Sequence, residues 1–443
     1  MKSLLNKARL FLCLLIYTAA SHANSNTADL SSVFKHAIEN DFQWAAKIHA
    51  YSANKESKAL GASGLKPNIK LDAQTSRDSF DSDTFGNDSY NSTTYGASLV
   101  QPIFRLDKWR EYQKGKALYK QANAEFQFEQ QAFYIRVAKV YFDTLRAEDS
   151  LKFRDAEKSA IKSQLDQIQY RFKAGLAADT DVQEAKAAFD LITVQYIVAQ
   201  QEMDFALENL HTLTGLTLSK VSPLKTDIPI NPPSPTSLKE WTAVALINNP
   251  VVRAASHSKD AAQRSYQAKT SAHLPTLDLV GNYRDTDRYI QTSEGEMSSN
   301  SISLKLELPL YSGGAISASR RQAKGIYLQA ADEFNFKKRE LLQNTRNLYR
   351  LVNTDISRVH AQKQGIRSME AALVAIEAGY SSGTRTILDV LNAQNTLYSA
   401  KHDYANARFD YILDSLRLKQ VAGILSKEDI LNVNQWLKAT PSP

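Results

Sequence analysis

Sliding the chain against itself at a spacing of 208 residues aligns Asn40 with Asn248, Pro67 with Pro275, Leu71 with Leu279 and Tyr141 with Tyr349. The same offset aligns Gly175 with Gly383, Asp181-Val182 with Asp389-Val390, Ala185 with Ala393 and Gly215 with Gly423. One register held over the whole chain predicts a tandem duplication of a large unit, far longer than the roughly 20 to 50 residues of solenoid repeats. Whatever one unit folds into must therefore occur twice. The units are read as 24–216 and 241–425, with a linker at 217–240 and a C-terminal segment at 426–443. From Thr214 to Trp241 the chain holds five of its twelve prolines, which rules out a continuous helix there.

Within each unit the hydrophobic period changes. No proline occurs between Pro102 and Pro223 or between Pro309 and Pro441, and residues 105–173 carry a single glycine, Gly115. At about 1.5 Å per residue that stretch predicts a helix on the order of 100 Å long. The next segment places Val182, Ala185, Phe189, Ile192, Tyr196, Ala199, Met203, Ala206 and Leu210 in alternating steps of 3 and 4. Val390, Ala393, Leu397, Ala400, Tyr404, Ala407 and Tyr411 repeat the pattern, which is the seam of a coiled coil. Each unit thus predicts a long helical hairpin, with tips near Gly175 and Gly383.

Around the prolines the period falls to two. Ile69, Leu71, Ala73 and Thr75 alternate with polar residues, as do Leu277 and Leu279, Tyr95 to Leu99, and Ile302 to Leu308. Four strands follow, at about 67–76, 93–103, 275–284 and 300–310, with polar loops expected from Arg77 to Ser92 and from Arg284 to Asn300. Strands of this length with one apolar face suit a membrane barrel, and they equally suit half-buried hairpins in a soluble domain. In lipid, four strands leave two unpaired edges, so a barrel must be shared between copies. Two copies give eight strands and three give twelve; the pattern leaves both open.

The first residues read as a secretory signal peptide at 1–23: Lys2, Lys7 and Arg9, an apolar run from Leu10 to Ala20, then Ser21-His22-Ala23. The sole cysteine, Cys13, falls inside it and does not follow the cleavage point, so disulfides, thiolate metal sites and a lipid-attachment cysteine are excluded from the mature chain. Removing the three leader cations lowers the formal charge from +7 to +4, too mild and scattered for nucleic acid. The eight histidines show no metal-ligand spacing, no phosphate loop is present, and no cofactor is expected. Gly379-Tyr380-Ser381-Ser382-Gly383 matches the G-x-S-x-G pattern of a hydrolase, but helical spacing on both sides argues against the strand-to-helix elbow which that nucleophile requires.

The stretches Gly379–Leu425 and Tyr170–Asp190, with the duplication, strand pairs and proline-rich middle, resemble the TolC family of outer-membrane efflux proteins. The resemblance implies a mainly α chain that trimerises. Four strands per protomer then contribute to a shared 12-stranded outer-membrane β-barrel, and the hairpins form a periplasmic α-barrel. An equatorial collar is built from the linker and C-terminal region. It also implies no enzymatic activity, and as partners a periplasmic adaptor and an inner-membrane pump. By the same resemblance Tyr380 and Arg385 latch onto Thr180 and Asp181 to close the entrance, and Asp389 forms a ring of three carboxylates that favours cations. The chain departs from the family in having Asn392 where a second acid is frequent, and Glu184 at the matching place of the first unit. Gly175 and Gly383 mark the tips that meet the adaptor. The competing readings are a periplasmic adaptor, which lacks lipid-facing strands, and a secreted hydrolase acting through Ser381.

Overall fold

The computed structural model describes residues 27–82, 86–290 and 293–438; the expected leader, with Cys13, and the last five residues lie outside them. The first repeat runs β1 (Thr27–Ala28), α1 (Leu30–Asn40), α2 (Phe42–Asn54), α3 (Ser57–Ser63), β2 (Asn68–Ser82), β3 (Gly86–Phe104), α4 (Leu106–Lys173) and α5 (Asp179–Thr214). After the linker strand β4 (Lys220–Val221) come α6 (Leu238–Asn248), α7 (Pro250–Ser271), β5 (Thr276–Ile290), β6 (Ser293–Glu307), α8 (Ala315–Ser381), α9 (Ile387–Val421) and α10 (Lys427–Asn434). None of the described helices is long and apolar enough to cross a membrane.

The duplication is visible in the backbone. Gly175 and Gly383 take φ of 74° and 77° where the two hairpins turn, and Gly215 and Gly423 take 69° and 73° where their second helices end. Only glycine enters that region without strain from a Cβ, so the repeat preserves it at the same four places. The long helices α4 and α8 are continuous, with 68 and 67 residues. The expected seam is formed: Ala185, Ile192, Ala199, Met203 and Leu210 of α5, and Val390, Leu397, Ala400, Ala407 and Tyr411 of α9, are all buried.

The four long strands form one antiparallel sheet in the order β2-β3-β5-β6. Its register aligns Ile69, Leu99, Gly281 and Ile302 across all four strands. Opposite residues share a face, so the apolar sets fall on one side. Within this chain that side is bare: Leu71, Ile302 and Leu306 are 82%, 83% and 71% exposed. The other face carries Lys70, Asp72, Arg284, Lys305 and Glu307. The apolar band from Tyr95 to Phe104 covers nine residue steps. At about 3.3 Å per step and a tilt of about 40° that is roughly 23 Å of height, close to the lipid-facing band of outer-membrane barrels.

The polar stretches expected as loops are mostly strand. Pairing continues from Arg77↔Asn91 to Ser82↔Gly86, and from Arg284↔Ser299 to Ile290↔Ser293. Backbone pairing does not depend on which face is apolar, so the ladder continues where the alternation in the sequence stops. The two-residue strands β1 and β4 pair in parallel and were not anticipated either.

The largest core lies midway along the helices, where Leu30 and Phe34 of α1, Tyr141 and Phe142 of α4, Trp241 of α6, Phe409 and Ile412 of α9 and Ile430 of α10 meet. The linker is tied into it: the Tyr141 hydroxyl donates to the Ser222 carbonyl at 2.7 Å, and the Trp241 indole donates to the Pro235 carbonyl at 2.6 Å. The C-terminal segment joins the linker through Lys225 N–H to the Trp436 carbonyl and Lys438 N–H to the Pro223 carbonyl.

One seam position carries a charged side chain. On α8, Leu341, Thr345, Leu348, Val352, Asp355 and Val359 hold the 4, 3 spacing, and Asp355 is 1% exposed beside Asp414 of α9. Arg358 bonds both Asp355 and Asp410, Arg146 of α4 bonds Asp410, and Arg417 bonds Asp414. Burial first, and the Asp414 charge second, push Asp355 from 3.8 to about 6. The folded state therefore holds this proton more tightly than the unfolded chain, and stability falls as pH rises from about 4 to about 6 and stays lower above. Asp355→Asn is expected to raise the thermal midpoint at pH 8, by roughly 1 to 3 kcal/mol of stability, and to change it little at pH 4. Melting curves at the two pH values check it; equal effects at both would show that Asp355 is ionised throughout.

Candidate functional site

The two hairpin tips share a backbone plan and differ in chemistry. In the first, α4 ends in a Schellman-type turn, with Leu176 N–H bonded to the Arg171 carbonyl at 2.8 Å. Asp181, in the first turn of α5, accepts from the Ala178 N–H at 3.3 Å. Thr180 and Glu184 are exposed and Asp181 is partly exposed. Leu176, Ala177 and Ala178 make up most of the turn, and the polar groups of this tip are Asp179, Thr180, Asp181 and Glu184 at the start of α5.

The second tip is polar throughout. The Gly379 carbonyl accepts from the N–H groups of Thr384 and Arg385 and from the hydroxyls of Ser382 and Thr384. Thr386 and Asp389 then cap α9 reciprocally: Asp389 N–H donates to the Thr386 hydroxyl at 3.2 Å, while Thr386 N–H and hydroxyl donate to the Asp389 carboxylate at 2.9 and 3.0 Å. The backbone bond from Thr386 first, its hydroxyl next and the Arg385 charge last hold Asp389 below the ordinary carboxylate range. The sequence motif Thr386-Ile387-Leu388-Asp389 signals this cap, and Thr386 was missed as its partner. The equivalent of Thr386 in the first unit is Ala178, which has no hydroxyl to offer.

A small core binds the hairpins just behind the tips. Ile161, Leu165 and Ile168 of α4, Ala185 and Ile192 of α5, and Ile387, Val390 and Leu391 of α9 form it, with Tyr380 packed against its edge. The Arg171 guanidinium stacks over the Tyr380 ring at 5.1 Å, a partner that heptad reading does not reveal. Within one chain, Tyr380 and Arg385 make no hydrogen bond to Thr180 or Asp181, and Arg385 makes no ion pair with Asp389. Arg385 instead lies against Gly379, where an added Cβ would meet its Cγ at 2.7 Å. Asn392 is exposed one turn beyond Asp389 on α9. The G-x-S-x-G segment is a helix end: Ser381 closes α8 and its hydroxyl donates back to the Glu377 carbonyl at 3.0 Å. The strand that a nucleophile elbow requires is not there.

Removing the acid tests the tip's chemistry. Asp389→Ala is expected to abolish most block by polyvalent cations in planar-bilayer recordings, and Asn392→Asp to strengthen it, since a second carboxylate per copy deepens the potential well. Thr386→Ala is expected to shift the onset of block to higher pH, because Asp389 loses its hydroxyl donor. Block unchanged in Asp389→Ala would show that residue 389 does not line the constriction.

The family model described as outer membrane efflux protein matches residues 33–216 and 241–424. Both ends of the second match are offset by 208 from the first, the repeat spacing read from the sequence. The chain is 33% identical over 414 residues to the outer membrane protein TolC of Vibrio cholerae, covering 93% of this chain and 94% of that one. It is 30% identical to the alkaline protease secretion protein AprF of Pseudomonas aeruginosa, covering 89% and 84%. The crystal structure of the CmeC outer membrane channel of Campylobacter jejuni superposes with a TM-score of 0.75 at 16% identity, over 93% of this chain and 89% of that one.

Proposed function

The chain belongs to the outer membrane efflux protein family, and from that premise we propose that three copies close one twelve-stranded barrel and form the exit duct of export machines. The protein is an outer-membrane channel, and its family and fold are those of channels rather than enzymes. The reading rests on one observation above all, a four-stranded sheet with both edges unpaired and its apolar face bare. In lipid the apolar face is satisfied but the two unpaired edges are not unless further copies continue the sheet, and twelve strands leave room for a lumen where eight fill with side chains.

Relatives are named both for efflux and for secretion of proteases, which supports a duct serving small molecules and unfolded proteins alike. An adaptor meeting the hairpin tips, and an inner-membrane pump behind it, complete the machine. The duct carries no energy source of its own, and its entrance is gated by Tyr380, Arg385, Thr180 and Asp181, with the carboxylates of Asp389 and Glu184 and the neutral Asn392 setting ion preference. Deletion of the gene, tested in parallel for sensitivity to bulky antibiotics and for secretion of a protease, is expected to impair at least one, with restoration by a plasmid copy. Normal drug resistance and normal secretion in the deletion strain would refute the reading. Release from membranes by urea without detergent would favour an adaptor instead.

A further inference from the structure

We infer that the strand-to-helix junction of the second repeat is a docking surface for anionic phospholipid headgroups on the periplasm-facing side of the outer membrane. The inference rests on the outer-membrane location and adds a ligand to it. The lipid-facing side of the sheet ends in the row Phe104, Leu277 and Leu306. Beyond that row the chain leaves the ladder without turning polar: Leu308, Leu310 and Tyr311 are 51%, 90% and 87% exposed. An apolar run tipped by a tyrosine, continuous with a lipid-facing band, is what sits at the level where acyl chains give way to headgroups.

The charge pattern follows at once. From Leu308 to Ala331 there is no carboxylate, while Arg320, Arg321 and Lys324 stand exposed in the first three turns of α8. Among the described residues none of the three has an ion-pair partner. At about 1.5 Å per residue they lie roughly 8 to 14 Å along the helix from its start, within reach of a headgroup layer for side chains that extend toward it. The first repeat is an internal control. Its equivalent junction holds Asp107 and Glu111, which pair with Arg105 and Lys114. Those acids correspond to Ala315 and Ser319 in the second repeat, so its cations are left without carboxylates. Juxtamembrane cations of this kind attract anionic lipid, and each adds to the others.

The test uses full-length protein in a neutral detergent and reads the thermal midpoint of the assembled species. Dioleoyl phosphatidylglycerol is expected to raise it by about 5 °C more than dioleoyl phosphatidylcholine does. That difference is expected to vanish in Arg320→Gln/Arg321→Gln/Lys324→Gln and in high salt, and to persist in Lys35→Gln/Lys186→Gln/Arg367→Gln, which removes three exposed cations elsewhere. An undiminished difference in the junction variant overturns the proposal, as does an equal shift with inorganic phosphate alone. If the junction variant falls apart into single chains whatever the lipid, the cations serve contact between copies. If lipid dependence is untouched and ion selectivity changes, they line the lumen. Either result also overturns it. Export in cells is scored separately, so failure of this inference leaves the channel reading standing.

Discussion

Leu304→Asp/Leu306→Asp is expected to abolish assembly in the outer membrane. Both leucines lie on the bare apolar face, 66% and 71% exposed in the single chain, two residues apart on the edge strand β6. In a barrel of three copies the change places six carboxylates against hydrocarbon. Each costs on the order of 1 kcal/mol at this depth, more at Leu304 than at Leu306 in the last row of the band, so six together remove a large part of an ordinary protein's stability. The same chemistry on the opposite face is a control: Ser301→Asp/Ser303→Asp points into the lumen by the pairing of Ser301 with Asn282 and Ser303 with Val280, and is expected to insert. Density-gradient fractionation of membranes reads both. Normal insertion of the leucine variant with failure of the serine variant would mean that the two faces are reversed.

The second large effect concerns the entrance. Tyr380→Phe/Arg385→Ser is expected to raise single-channel conductance several-fold and to make cells leaky to bulky antibiotics, with the assembly intact. The single chain carries none of the latch bonds, so if Tyr380 and Arg385 hold Thr180 and Asp181 they do so across the boundary to a neighbouring copy. Each charge-assisted bond contributes about 1.5 to 3 kcal/mol, and threefold repetition makes the open state rare. Phenylalanine keeps the packing of Tyr380 against the small core and its place beneath Arg171, so the variant separates bonding from packing. Wild-type conductance with an intact assembly would place the gate elsewhere.

What the sequence disclosed depended on whether a residue obeys one dominant period. The two seams, the long helices and the tip glycines Gly175 and Gly383 were legible because burial in a coiled coil repeats every 3.5 residues and a Cβ is excluded from those turns. The upper halves of the strands were not, since Arg77 to Ser79 and Arg284 to Asp287 are polar at every position and keep no alternation. Asp355 escaped because seams are traced through apolar residues, although its spacing from Val352 and Val359 places it there. At the tips, Asp389 was found by likeness to a family, while its partner Thr386 was readable from the local spacing alone. Arg171 over Tyr380 joins two hairpins separated by some 200 residues, and nothing local announces it.

The central claim is that one chain is a third of a channel, and the mass of the detergent-extracted protein tests it most directly. Light scattering corrected for bound detergent, on material whose helicity is checked by circular dichroism, is expected to give three copies of the chain per particle. A folded, monodisperse particle containing a single copy would contradict the account, because a four-stranded sheet with two open edges would then be stable by itself.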